Sequence, residues 1–251
     1  EIKRWAVACS SEAHSSIASA TEIMDVDLIK VPVQSDGIMR GSDVASAIEN
    51  YRNQYSDRDI CAIVATAGTT NLGIIDELPT IGAVANSLSI WFHVDGAYGL
   101  AGLANNATRR LFEGVERADS FIVDPHKWLF APFDACALVY RNPELGRQAH
   151  TQHAGYLDSL TDSNDFNPSD YAIQLTRRTR GLPLWFSLAA HGTKAYSDAI
   201  AKTMEITRIA AELIREHPRL ELLCEPNLSI VAFTREGWKL EDYRAWSEKL
   251  L

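Results

Sequence analysis

Short apolar runs that alternate with stretches of helical spacing constrain this chain more than any single residue does. The runs are WAVACS (5–10), LIKVPV (28–33), CAIVAT (61–66), IWFHVD (90–95), SFIVD (120–124) and CALVYR (136–141). Their Val, Ile and aromatic content reads as buried strand. Helical spacing falls near 14–24, 42–55, 76–88 and 107–117, with Ser42 or Asp43 placed to cap the second of these helices and Asp76 the third. Strands separated by helices must cross over a sheet face to reach the next edge. The expected fold is therefore α/β, a mostly parallel sheet with helices on both faces. Ligands of such sheets bind beyond the carboxyl ends of the strands. His14, Thr70, Asp95 and Lys127 all fall at or just after such ends.

Beyond Gly181 the pattern changes. Residues 182–217 read as a connecting helix, bent near Gly192, and 218–251 as the start of a smaller α+β domain that the chain does not complete. That smaller part contains a strand pair, LELLCEP and LSIVAFTRE, and a helix from about residue 240. Residues 1–181 form the expected large domain. Within it the polar, turn-rich stretch DSLTDSNDFNPSD (158–170) reads as a mobile surface loop.

Composition removes several function classes. A hydrophobic share of 46% with 23% charged residues is that of a soluble globular protein. A net charge of −9 argues against a general nucleic-acid binder. No apolar run is long enough to span a bilayer, so no membrane partner is expected. Four dispersed cysteines suggest neither a disulfide framework nor a metal site, and a reducing, cytoplasmic setting is the default.

The chemistry centres on DSFIVDPHKWLF, Asp119 to Phe130, where a strand runs into Lys127. A partly desolvated lysine can act as an amine nucleophile and form a Schiff base with a carbonyl. Taken alone, Lys127 is more often simply a lysine whose ammonium reaches solvent, because exposed lysines dominate any sequence. WFHVDGAYG places Asp95 at a strand tip, followed by Gly96 and Ala97, small enough to let a flat ring approach. Taken alone, Asp95 is a turn or cap residue. Together they suit pyridoxal phosphate, which needs an amine for its aldehyde and a carboxylate for its pyridine nitrogen. ATAGTTNLGIID supplies a small polar turn at Gly68, Thr69 and Thr70, or a plain βα loop with Asp76 as a cap. His14 could stack on a ring or simply open a helix.

The ordered set AHSS, ATAGTTNLGIIDEL, WFHVDGAYG, DSFIVDPHKWLF and RRTRGLPLWF resembles the group II pyridoxal-phosphate decarboxylases, densest from His14 to Trp185. The resemblance implies the aspartate-aminotransferase-like fold (fold type I), pyridoxal 5'-phosphate as cofactor, and loss of carbon dioxide from an L-amino acid, aromatic by first choice. It also implies a homodimer in the full-length protein. On that resemblance Lys127 would form the Schiff base and Asp95 would pair with the pyridine nitrogen. His14 would stack on the ring and touch the substrate carboxylate, while Ala97 would pack on the opposite face. Thr70 would lie near ring and substrate, Asp76 would support the pyridine side, and His126 would sit beside the phosphate. Tyr156 would protonate the substrate carbon from a mobile loop, with His153 as the next candidate.

Two departures stand out. Asp124 occupies a place where many relatives carry Asn, so no phosphate role is assigned to it. The family's phosphate-binding loop and its N-terminal helices would lie upstream of AHSS, so the chain reads as an internal segment carrying the catalytic core. Rival readings are another pyridoxal enzyme of the same fold, a lyase or class V aminotransferase, or a non-catalytic relative.

Overall fold

The computed structural model describes residues 2–151 and 166–250. Strands β1 (Arg4–Ser10), β2 (Asp27–Val31), β3 (Arg58–Thr66), β4 (Trp91–Asp95), β5 (Ser120–Val123) and β6 (Ala137–Tyr140) form one sheet in the order β2-β1-β3-β4-β5-β6. All neighbours are parallel except β5 and β6, which run antiparallel. The expected mostly parallel α/β sheet is what forms.

Alternation along β1 shows how both faces are covered. Ala6 and Ala8 point into the main core, with Ile63, Phe92 and Val94. That core takes the apolar stripes of α2 (Gly41–Gln54) through Val44 and Ile48, and of α3 (Leu78–Leu88) through Leu78, Ile81 and Ala85. Val7 and Cys9 point the other way, where Ile17 of α1 (Ser15–Met24) packs on them. Successive residues of a strand face opposite sides, so a strand buried on both faces reads as an unbroken apolar run.

Helix starts differ from the expectation. Arg40, not Ser42 or Asp43, is the N-cap residue of α2, and Asp43 accepts the Arg40 N–H at 3.2 Å. Glu77 is the N-cap residue of α3, because the Asp76 side chain is drawn into the protein instead. The helix expected over 107–117 is replaced by two 3-10 turns, Arg109–Phe112 and Val115–Arg117. Gly114 between them has φ 97°, and a side chain there would collide with the backbone of Leu78 and Pro79. The close approach of the α3 start, which helical spacing cannot show, breaks the helix.

Among the described residues, α4 (Pro143–His150) and α5 (Gly181–Glu216) precede the C-terminal part, the latter interrupted at Gly192, whose φ of 74° and ψ of 160° are not helical. Beyond it β7 (Leu220–Leu222) and β8 (Phe233–Arg235) pair antiparallel, and α6 spans Leu240–Glu248. Both strands are shorter than their apolar runs. Within the expected loop 158–170, Pro168–Tyr171 is a 3-10 turn. Among the described residues no helix is long and apolar enough to cross a membrane.

Candidate active site

Three neighbouring strands end side by side. The parallel register places Thr66 of β3 beside Asp95 of β4, and Asp95 beside Ile122 of β5. β5 then turns at Asp124, whose carbonyl accepts the Lys127 N–H at 2.9 Å. The Asp124 N–H donates to the Ala97 carbonyl at 2.9 Å, tying this turn to the segment after β4. On the other side β1 leads into α1, with His14 as its N-cap residue. The tips enclose a cavity of about 220 Å³ whose walls include His14, Thr66, Thr70, Asp95, Ala97 and Lys127.

Each expected site residue has a definite place. Asp95 is buried and accepts one hydrogen bond, from the Ala97 N–H at 3.1 Å, so its second oxygen can accept a donor from the cavity. His14 combines both of its readings: its Nδ1 accepts the Ser16 N–H at 3.2 Å at the helix start, and its ring lines the cavity. Thr70 and Ala97 line the same wall. Asp76 lies behind it, 3% exposed, and accepts from Thr66 N–H at 2.7 Å and Met39 N–H at 2.9 Å. Burial pushes this carboxyl up to about 6, against the pull of those two donors. The His126 ring turns to the Ala135 backbone, 2.6 Å from Nδ1 to the carbonyl oxygen, and meets Phe133 edge-on rather than lining the cavity. Tyr156 and His153 lie outside the described residues.

Lys127 departs from the expectation of desolvation. Its side chain is 44% exposed, and its ammonium pairs with Asp124 at 2.8 Å. Asp124 itself is largely covered, and burial together with that nearby carboxylate pushes the Cys136 thiol up to about 12. Gly96 also differs from its expected purpose. A side chain there would strike Leu100, so its smallness serves packing, and of the two it is Ala97 that lines the cavity.

Some wall residues went unnoticed in the sequence. Thr66, the polar end of CAIVAT, has the same strand-tip address as Asp95 and could have been found by that rule. Tyr98 could not: it stacks on Trp128 with centroids 5.1 Å apart, and its hydroxyl accepts the Ser229 N–H at 2.9 Å. A second cavity of about 520 Å³ adjoins the first, sharing Thr70, Tyr98 and Lys127 and reaching Ile206 on α5.

An amine and an under-used buried carboxylate in one cavity fit a group that carries both an aldehyde and a basic ring nitrogen. Comparison with known proteins agrees. Residues 2–236 match the family model described as the pyridoxal-dependent decarboxylase conserved domain. Aromatic-L-amino-acid decarboxylase of Mus musculus is 34% identical over 232 residues, covering 91% of this chain and 48% of that protein. L-2,4-diaminobutyrate decarboxylase of Acinetobacter baumannii is 30% identical over 247 residues, covering 96% and 48%. The crystal structure of mouse CSAD superposes with a TM-score of 0.82 at 29% identity, over 91% of this chain and 48% of that one. The chain thus spans about half the length of the curated relatives it matches.

Proposed function

Since this chain belongs to the pyridoxal-dependent decarboxylase family, we propose that the whole protein is a carboxy-lyase that converts an L-amino acid to its amine and carbon dioxide. The observation that carries this reading is the meeting of Lys127 and Asp95 in one cavity at adjacent strand ends. Pyridoxal 5'-phosphate, when bound, supplies an aldehyde and a protonated ring that withdraws electrons from the bond to be broken.

The chain's own residues do the rest. The Lys127 amine would hold the cofactor through its aldehyde once released from Asp124. Asp95, with one oxygen not engaged by Ala97, would hold the protonated ring nitrogen. His14, held at the start of α1, lines the cavity and would orient the substrate carboxylate. Thr70 and Ala97 bound the ring. Tyr156 delivers the proton that replaces the lost carboxyl group. Asp76 acts from behind, by fixing the Thr66 backbone at the tip of β3.

Aromatic L-amino acids are the first substrates to test, because the mouse relative acts on them by name, and L-2,4-diaminobutyrate is the second, on the Acinetobacter match. A homodimer is the proposed assembly, for which the exposed Trp185 and Phe186 on α5 offer apolar surface. A cytoplasmic setting suits four unpaired cysteines. The test is borohydride reduction with pyridoxal 5'-phosphate followed by peptide mass mapping. The adduct is expected on Lys127, and an adduct on Lys194 or Lys202 in its place overturns the assignment.

A further inference from the structure

Thr66 Oγ1 is the one buried side-chain nitrogen or oxygen among the described residues that has no hydrogen-bond partner. Its surroundings make this specific. The Thr66 N–H donates to Asp76 at 2.7 Å, and its carbonyl accepts the Asp76 N–H at 2.9 Å. Close by, the buried Thr69 hydroxyl accepts the Ile74 N–H at 3.1 Å. The Thr66 residue is only 3% exposed. Leaving a buried hydroxyl unpaired is costly, and valine at a strand position would avoid the cost while filling nearly the same space. An unpaired buried polar group in a native fold calls for a role. Thr66 forms part of the cavity wall and is the direct strand neighbour of Asp95.

We propose that the Thr66 hydroxyl is a ligand-contacting group, which completes its hydrogen bonding on a polar atom of the pyridoxal ring held beside Asp95. The inference rests on the reading of Lys127 and Asp95 given above. It adds a contact from β3 to those from β4 and β5, so that three adjacent strand tips grip one ring. It also implies that the ligand-free fold bears a cost at residue 66 that the ligand relieves.

The experiment titrates the unchanged chain, Thr66→Val, Thr66→Ala and Thr66→Ser with pyridoxal 5'-phosphate by absorbance, and melts each without ligand. Thr66→Val and Thr66→Ala should bind about fivefold more weakly, the size of one neutral hydrogen bond, while Thr66→Ser stays within about twofold of the unchanged chain. Ligand-free Thr66→Val should melt about 2 °C higher, because it no longer buries an unpaired hydroxyl. Equal affinity across all four overturns the proposal. So does a lower ligand-free melting point in Thr66→Val, since the hydroxyl would then serve the fold. Failure of the unchanged chain to form a Lys127 adduct is a separate result, which removes the reading of the site and this contact with it.

Discussion

The Lys127 ammonium sits 2.8 Å from the carboxylate of Asp124, three residues earlier in the same turn. The backbone enforces the meeting: Lys127 N–H donates to the Asp124 carbonyl, and Asp124 N–H to Ala97. A charge-assisted bond of this length has to be broken before the amine can attack a carbonyl. Asp124→Asn keeps both backbone bonds and removes the charge. Reductive methylation with formaldehyde and cyanoborohydride should then label Lys127 about fivefold faster than in the unchanged chain. Lys194 and Lys202, whose partners Asp198 and Glu205 are untouched, serve as internal references. Equal labelling ratios would show that the pair does not restrain the amine.

Asp95→Asn tests the ring-nitrogen partner. The amide fills the same space and can still accept the Ala97 N–H, so the Lys127 adduct should form. In the full-length protein, turnover should fall about tenfold or more, because a neutral amide no longer favours the protonated ring. Turnover equal to that of the unchanged protein would remove Asp95 from the mechanism.

Asp76 gives a pH dependence whose sign is set by its burial. Its carboxyl rises from 3.8 to about 6 in the folded chain. A raised acid favours folding in its protonated form, so its contribution is full below about 4 and is lost as pH rises through about 6. Asp76→Asn cannot titrate. The stability of the unchanged chain relative to this variant should therefore decline by about 2 kcal/mol between pH 4 and pH 7. Urea melts at both pH values measure it, and an increase in the same interval would contradict the assignment.

Tyr98→Phe keeps the stack on Trp128 but removes the hydroxyl that accepts the Ser229 N–H and meets the Ser229 hydroxyl. Two partly buried groups then lose their partner, at a cost of about 1–2 kcal/mol. Thermal melting should register a fall of about 3 °C. No change would show that Ser229 finds other partners.

Tyr156→Phe, tested in the full-length protein, separates proton donation from packing. A donor role predicts that amine formation falls about a hundredfold while carbon dioxide release persists. Equal molar yields of amine and carbon dioxide at an undiminished rate would pass the role to His153.

The parts of the site that could be read in advance share one trait: a polar residue closes an apolar run. Asp95 ends WFHVD, and the turn bearing Lys127 follows SFIVD, so strand periodicity alone gives their address. Asp76 was misread as a cap because its partner, the Met39 N–H, is distant in sequence and only folding brings it near. The Lys127 environment was misread for the opposite reason. Its partner was only three residues away, but proximity in a turn depends on backbone hydrogen bonds that spacing does not encode. The helix expected over 107–117 failed where a tertiary approach at Gly114 overrode local preference.

The strand order carries a kinetic consequence. β1 pairs with both β2 and β3, so β3 can dock only after the chain has travelled across the sheet through α2, and β4 and β5 follow by further crossovers. Parallel pairings of this kind close long loops before any contact rewards them, and they form slowly. The cavity draws on the tips of β3 and β4 and on the segments that follow β1 and β5, so no sheet lacking any of these four strands contains it. Pyridoxal capture at this cavity would therefore have to await the docking of β5. The appearance of a Lys127 adduct during refolding would time the docking of the last parallel strand.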